Sequence, residues 1–329
     1  MPDTVLVTGA TGYVAGWAIV ALLAQGYAVR ASLRDPARAD ALRAAIASQA
    51  GTADRLSFCV ADLTAAAGWA EAMAGCRYVL HVASPLGGID GEALIGAAVD
   101  GTRRVLAAAV AAGVERVVLT SSTAACTPAQ TLARAITEAD WTDPDAPGLA
   151  VYRRSKVLAE RAAWDFIKGQ STTLTTLLPG AIFGPVLNPG QTGSVSIIRE
   201  LLRGRPSLLP RLGFNITDVR DLAAVHVAAM TAPQAAGERF IVLGEALWFG
   251  EVAAILRQRL GARAAKVPRH GLPDGLVRLI ARFNPRLKEL LPLLGRTQKF
   301  SADKARRMLG YAPRPAADTI AACGESLRV

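Results

Sequence analysis

One phenol and one ammonium group define the chemistry this chain can do. In the stretch Val151-Tyr-Arg-Arg-Ser-Lys156, Tyr152 and Lys156 stand four residues apart, so on a helix they share one face. A free phenol titrates near pH ~10. A neighbouring ammonium stabilises the phenolate and lowers that value. Tyr152 held in this way would give a proton to a carbonyl oxygen while a hydride arrives at the carbon. Upstream, Arg116-Val-Val-Leu-Thr-Ser-Ser122 reads as an apolar strand that ends in hydroxyls at Thr120, Ser121, Ser122 and Thr123. Ser122 would hydrogen-bond the same carbonyl oxygen and orient it.

These residues need a platform, and the N-terminal stretch Val5-Leu-Val-Thr-Gly-Ala-Thr-Gly-Tyr-Val-Ala-Gly16 describes one. An apolar run passes through glycines 9 and 12 into a segment with apolar Val14, Trp17, Ala18, Leu22 and Leu23. The pattern predicts strand, tight turn and amphipathic helix. Gly9 permits the turn, and Gly12 permits close approach of backbone to a ligand. The helix opening near Gly12 would aim its positive end at a pyrophosphate. The spacing is Thr-Gly-x-x-Gly-x-x-Ala, with Ala15 where the third glycine of a dinucleotide-binding turn would stand.

The rest of the first half repeats strand and helix. Strands are predicted at 27–33, 56–60, 78–82, 116–122 and 173–178, with helices at 91–112 and from 151 to about 168. That alternation predicts a doubly wound α/β fold with a parallel Rossmann-type sheet. Ligands of such sheets bind at the carboxyl ends of the strands. The second strand ends at Leu33-Arg34-Asp35-Pro36, with Arg38 one turn later. Two cations and no strand-end acid favour a ribose 2′-phosphate, hence NADPH over NADH. Asp35 reads as a helix N-cap with Pro36 at the first helical position. Asp62 fits two roles, a bond to the adenine amino group or an N-cap for a helix near Thr64. Ala83 and Ser84 are small where a cofactor would lie on the backbone. His81 reads as a buried strand residue.

After Pro179-Gly-Ala-Ile-Phe-Gly-Pro185 the pattern loosens, and Gly and Pro punctuate shorter elements. We expect a dinucleotide-binding domain over 1–180, which takes back segments near 213–243, and a mainly smaller substrate-binding lobe over 181–329. His226 reads as a packed helical residue, and 301–310 as an N-capped amphipathic helix ending at Gly310.

Composition bounds the alternatives. The chain has 329 residues, 51% of them hydrophobic, and a formal charge of +10. Its arginines are scattered and aromatics are few, which disfavours nucleic acid binding. No apolar run reaches membrane-spanning length without charge. Met1-Pro-Asp leads straight into the first strand without a signal-peptide pattern, and Cys59, Cys76, Cys126 and Cys323 lack CxxC spacing, so a reduced, cytoplasmic setting is expected. Three histidines in no ligand pattern predict no metal.

Taken together, these residues resemble an extended short-chain dehydrogenase/reductase, within the NAD-dependent epimerase/dehydratase superfamily. The subgroup they resemble holds the dihydroflavonol-reductase-like carbonyl and aldehyde reductases. The resemblance rests on Thr8-Gly-Ala-Thr-Gly-Tyr-Val-Ala15, Val29-Arg-Ala-Ser-Leu-Arg-Asp-Pro36, His81-Val-Ala-Ser-Pro85, Thr120-Ser-Ser122, Glu138-x-x-Trp141 and Tyr152-x-x-Ser-Lys156. Ala159-Glu160, Ala163-Trp164 and Lys304-Ala-Arg-Arg-Met-Leu-Gly310 extend it over essentially the whole chain.

The resemblance implies a catalytic triad of Ser122, Tyr152 and Lys156 and NADPH as hydride donor. The expected cofactor contacts are Gly9, Thr11, Gly12, Tyr13, Val14, Arg34, Arg38, Asp62, Leu63, Val82, Ala83, Ser84, Thr120, Tyr152, Lys156, Pro179 and Ile182. Family members vary most in the loops after Pro85, Ser122 and Phe183, which makes Leu86, Ala124, Cys126 and Phe183 the substrate candidates. The expected activity is NADPH-dependent reduction of a small-molecule aldehyde or ketone to an alcohol, by a monomer or a homodimer. Two alternatives share the fold: an NAD-dependent sugar-nucleotide epimerase or dehydratase, which would carry an acid near position 33, and a non-catalytic NADP-binding sensor, which would lack the Tyr–Lys pair.

Overall fold

The computed structural model describes residues 2–85, 91–130, 132–188, 193–284, 288 and 291–327. The alternating pattern folds as strands β1 (Thr4–Val7), β2 (Ala28–Leu33), β3 (Leu56–Val60), β4 (Cys76–His81), β5 (Arg116–Thr120) and β6 (Thr173–Pro179). Between them lie helices α1 (Tyr13–Ala24), α2 (Ala39–Ala50), α3 (Trp69–Met73), α4 (Glu92–Ala111) and α5 (Val151–Ile167). The chain then runs through β7 (Ala181–Phe183), α6 (Val195–Leu202), β8 (Leu209–Pro210), β9 (Gly213–Asp218) and α7 (Val219–Thr231) before β10 (Arg239–Val242).

Seven strands form one sheet in the order β10-β6-β5-β4-β1-β2-β3. Every pairing in it is parallel. The order reverses between β1 and β4, and that is where a doubly wound sheet opens a crevice for its ligand. The Rossmann-type α/β class expected from the sequence is therefore the observed one. Both faces are covered by helices, so the strands read as apolar runs rather than alternations. Val5, Leu6 and Val7 are all buried.

Helix α1 departs from expectation. It is buried nearly all round, with Val14 through Val20, Leu22 and Leu23 inside, where the sequence predicted an amphipathic helix. It packs against the sheet and also against α2, so a helix apolar on all sides is the stable solution.

The chain divides into two compact units. The first holds Met1–Pro179, Arg220–Val242 and Ser301–Ala312, and contains the seven-stranded sheet. The returning helix at Asp303–Leu309 starts where the Ser301 hydroxyl accepts from the Asp303 N–H at 3.3 Å, and it stops at Gly310 with φ +65°. The second unit holds Gly180–Val219, Leu243–Phe300 and Pro313–Val329. Its three-stranded sheet joins β9 to β7 in parallel and to β11 (Ala246–Trp248) in antiparallel. Phe214 meets Phe183 and Phe249 edge-on, with centroids 6.5 and 5.7 Å away. Among the described residues no helix is long and apolar enough to cross a membrane.

Candidate active site

The turn after β1 is held from two sides. Gly9 sits at φ +72°, and its N–H donates to Ser32 Oγ at 3.0 Å. A Cβ on Gly9 would meet the Ala83 side chain at 2.9 Å. This is a packed reason for glycine beyond the turn itself. Gly12 is the N-cap of α1 and offers no side chain to it, and the first turn of α1 carries no acid. A helix start of this kind favours an anion near it. Thr11, Tyr13 and Val14 lie in this turn and the start of α1.

At the end of β2, Arg34 and Arg38 are exposed, and the charge of Arg34 acts on Asp62. Asp35 caps the short turn at Pro36–Arg38 by accepting from the Ala37 N–H at 3.0 Å, as its sequence position indicated. Asp62 accepts from both the N–H and the hydroxyl of Thr64 at 2.7 Å. Those two bonds hold its carboxyl below the usual range, with help from the nearby Arg34 and Arg104 charges. No α-helix begins at Thr64. Asp62 closes a local turn, and the next helix starts at Trp69. Leu63 is partly buried, with its carbonyl taken by Arg104.

The end of β4 hangs on Thr8. Its hydroxyl accepts from the N–H groups of Val82 (3.1 Å) and Ala83 (3.0 Å). With both lone pairs used, its proton goes to His81 Nδ1 at 2.9 Å. The imidazole proton therefore sits on Nε2, which is buried without a hydrogen-bond partner among the described residues. Burial first, and the Lys156 charge second, push the His81 pKa down to about 3, so the ring is neutral. Thr8 gave no sign of this role in the sequence.

The four hydroxyls at the end of β5 separate once folded. Thr120 bonds His226 Nε2 at 2.7 Å, while His226 Nδ1 donates to the Leu222 carbonyl at 2.8 Å. Ser121 donates to the buried Glu160 carboxylate at 2.5 Å. Thr123 uses its carbonyl to accept from the Thr127 hydroxyl at 2.6 Å. The Ser122 hydroxyl accepts from the Ala124 N–H at 3.1 Å.

Helix α5 packs on the Thr123–Ala125 turn that follows Ser122. It exposes Tyr152 by 41% but buries Lys156 to 9%. Lys156 Nζ donates to Ser84 Oγ at 3.0 Å and lies 5.9 Å from the centre of the Tyr152 ring. Lysine and tyrosine thus meet where Ser84, from the end of β4, anchors the ammonium. Ala83, Ser84, Thr120, Ser121, Lys156 and Glu160 also line one small cavity of about 20 Å³.

The amino-acid pattern of this region matches a family model, that of the NAD dependent epimerase/dehydratase family, over residues 5–244. The chain belongs to the NAD-dependent epimerase/dehydratase family. Its similar relatives include reductases. The chain is 34% identical over 258 residues to cinnamoyl-CoA reductase 1 of Oryza sativa subsp. japonica, covering 77% of this chain and 75% of that one. It is 31% identical over 268 residues to dihydroflavonol 4-reductase of Zea mays, covering 78% and 74%. Among solved structures, the yeast methylglyoxal/isovaleraldehyde reductase Gre2 complexed with NADPH superposes with a TM-score of 0.81 at 25% identity, over 98% of both chains. The resemblance to dihydroflavonol-reductase-like carbonyl reductases is therefore real.

The remaining sequence candidates lie in both units. Pro179 ends β6 and is buried opposite Val242. Ile182 pairs with Thr217, in the second unit. Phe183 is completely buried in that unit and packs on Phe214. Ala124 is partly buried beside Ser122. Cys126 is completely buried, and desolvation pushes its thiol far above the ordinary range, so it presents no surface to a substrate. Leu86 lies outside the described residues. Sequence reasoning gave Glu160 only as part of the family pattern and passed over Arg239; the two form a buried ion pair at 2.8 Å. Among the described residues no group of His, Cys, Asp or Glu could hold a metal ion.

Proposed function

We propose that this protein is an NADPH-dependent carbonyl reductase that converts an aldehyde or ketone to its alcohol. The observation that carries the reading is the Ser84–Lys156–Tyr152 arrangement: an anchored ammonium 5.9 Å from the centre of an accessible phenol ring. The residues suit the dinucleotide. Gly9 and the start of α1 offer a cradle for a pyrophosphate, and Arg34 and Arg38 offer exposed cations for a 2′-phosphate. When bound, the reduced nicotinamide supplies the hydride.

The chain's own residues do the rest. Lys156 holds the nicotinamide ribose beside the Tyr152 ring. Tyr152 donates its proton to the carbonyl oxygen, and Ser122 donates a hydrogen bond to the same oxygen. In this reading the first unit binds the dinucleotide and the second supplies substrate-facing surface. The four free cysteines, three of them buried, suit a reducing cytoplasm.

The experiment is a paired cofactor assay. NADPH and NADH are titrated separately, and absorbance loss is followed with aldehydes, α-ketoesters and aryl ketones. Turnover with clear NADPH preference is expected. Tight retention of NAD by the purified protein would instead favour a sugar-nucleotide epimerase, a reading the Leu33-Arg34 strand end disfavours.

A further inference from the structure

The face of α5 that carries Tyr152 and Lys156 continues one turn further to Glu160. Its carboxylate is almost completely buried, and both oxygens are occupied. Oε2 accepts from Ser121 Oγ at 2.5 Å. Oε1 accepts from Thr176 Oγ1 at 2.8 Å, from Trp164 Nε1 at 3.3 Å and from Arg239 Nε at 2.8 Å. Arg239 Nη2 reaches Oε2 at 3.4 Å.

Arg239 itself is built in. It stacks 3.6 Å from the centre of the Trp141 ring and donates to the carbonyls of Glu138 and Asp140. The Glu138 carboxylate in turn accepts from the Ile241 N–H at 3.0 Å. Burying two charges is unfavourable unless geometry and hydrogen bonds are nearly complete. Here they are, and the network joins five segments of the first unit: α5, the end of β5, β6, β10 and the loop at 138–141.

The position of the bonds gives them meaning. Ser121 immediately precedes Ser122, and Glu160 follows Lys156 by one helical turn. A bond of 2.5 Å to an ionised oxygen is of the short, strong kind. It fixes the end of β5 against the same helix that carries the phenol and the ammonium. The cavity shared by Ser121, Lys156 and Glu160, about 20 Å³, also has room for one water with several polar partners.

We propose that Glu160 is a positioning residue for the reaction: through Ser121 it holds Ser122 in register with Tyr152 and Lys156, and Arg239 holds Glu160. This rests on the reductase reading above. A misplacement of about 1 Å at a reacting centre is enough to slow turnover a hundredfold. Glu160 acts without touching substrate, so its loss should lower kcat and leave binding alone.

The test compares two hydroxyls on the same carboxylate. Ser121→Ala removes the bond on the side of Ser122. Thr176→Val removes a bond from the opposite oxygen. Glu160→Gln removes the charge. The carbonyl compound that the wild type turns over best serves as probe, with NADPH affinity followed by fluorescence and folding by thermal melting. Expected are a five- to thirtyfold fall in kcat for S121A and a larger one for E160Q, with KM and NADPH affinity within threefold. T176V should keep kcat within twofold. The S121A/E160Q double variant should lose little more than E160Q, because both act along one path. Equal losses in S121A and T176V would overturn the proposal and leave a purely structural ion pair. So would a wild-type kcat in folded E160Q, and either result would leave the reductase reading standing. A wild type that turned over no carbonyl compound would overturn both.

Discussion

The two ends of one helical face behave oppositely. Along α5, Tyr152 is 41% exposed, Lys156 9% and Glu160 1%, so the same stripe runs from open surface to deep interior within two turns. At the open end the polar groups are sparsely bonded and available for chemistry. At the closed end every oxygen is committed. On the proposed reading, the reactive group sits at the sparsely bonded end and the fully bonded end anchors it. A helix end that must present an accessible phenol needs its root pinned, and a buried, paired carboxylate is a stiff pin.

Variants at the open end should change rate without stability. Tyr152→Phe should lower kcat about 10²- to 10⁴-fold, the range for loss of a positioned proton donor. Its melting temperature and NADPH affinity should stay near those of the wild type. Stopped assays at saturating NADPH, alongside a thermal melt, measure both. A Tyr152→Phe protein with full turnover would remove the open end from the chemistry altogether.

The closed end should show the reverse. Glu160→Ala leaves Arg239 buried and uncompensated, so a loss of roughly 3–5 kcal/mol in unfolding free energy is expected. Urea titration measures it. A loss below about 1 kcal/mol would mean that the closed end is no more rigid than the surface.

The two buried histidines extend the comparison to pH. His226 is pushed down to about 4 by burial, although a bond to the Leu222 carbonyl opposes the shift, and His81 is pushed down to about 3. An unfolded histidine titrates near pH ~6.5. Between these values the unfolded chain binds more protons, so stability rises with pH. The contribution is full above about pH 6.5 and is lost as the pH falls through 4, by about 1.4 kcal/mol for each unit and histidine. The melting temperature should therefore drop steadily from pH 6.5 to 4. A flat profile would mean that the interior around Thr8 and Thr120 admits water.

The smallest effect should come from the nucleotide end of the sheet. Arg34→Ala should weaken NADPH about 10- to 100-fold, as expected for one charge-assisted contact, and leave NADH nearly unchanged. Fluorescence titration with both cofactors separates this from general damage to the turn at Gly9.

Much of this molecule was legible in its residues because the informative features are local. A strand, Gly9, Gly12 and a following helix are contiguous, so the turn and the sheet class could be read directly. Tyr152 and Lys156 declare themselves through helical spacing, and Asp35 declares its cap through Pro36. Asp62 was open between a bond to the adenine amino group and an N-cap near Thr64, and the fold makes it close a local turn on Thr64 instead of capping an α-helix. The amphipathic reading of α1 failed because a helix packed on two sides loses its polar face.

What tertiary structure alone decided are pairings between distant segments. Ser121 and Glu160 are 39 residues apart, Glu160 and Arg239 79, and Thr8 and His81 73. Nothing in local spacing joins them. The sequence by itself determined that hydroxyls cluster at the end of β5. Only the fold determined that Thr120 goes to His226 and that Ser121 goes to Glu160. The reason is physical: side-chain type and helical or strand period are properties of neighbours in the chain, whereas a hydrogen-bond partner is chosen by which strands lie side by side and which helix covers them.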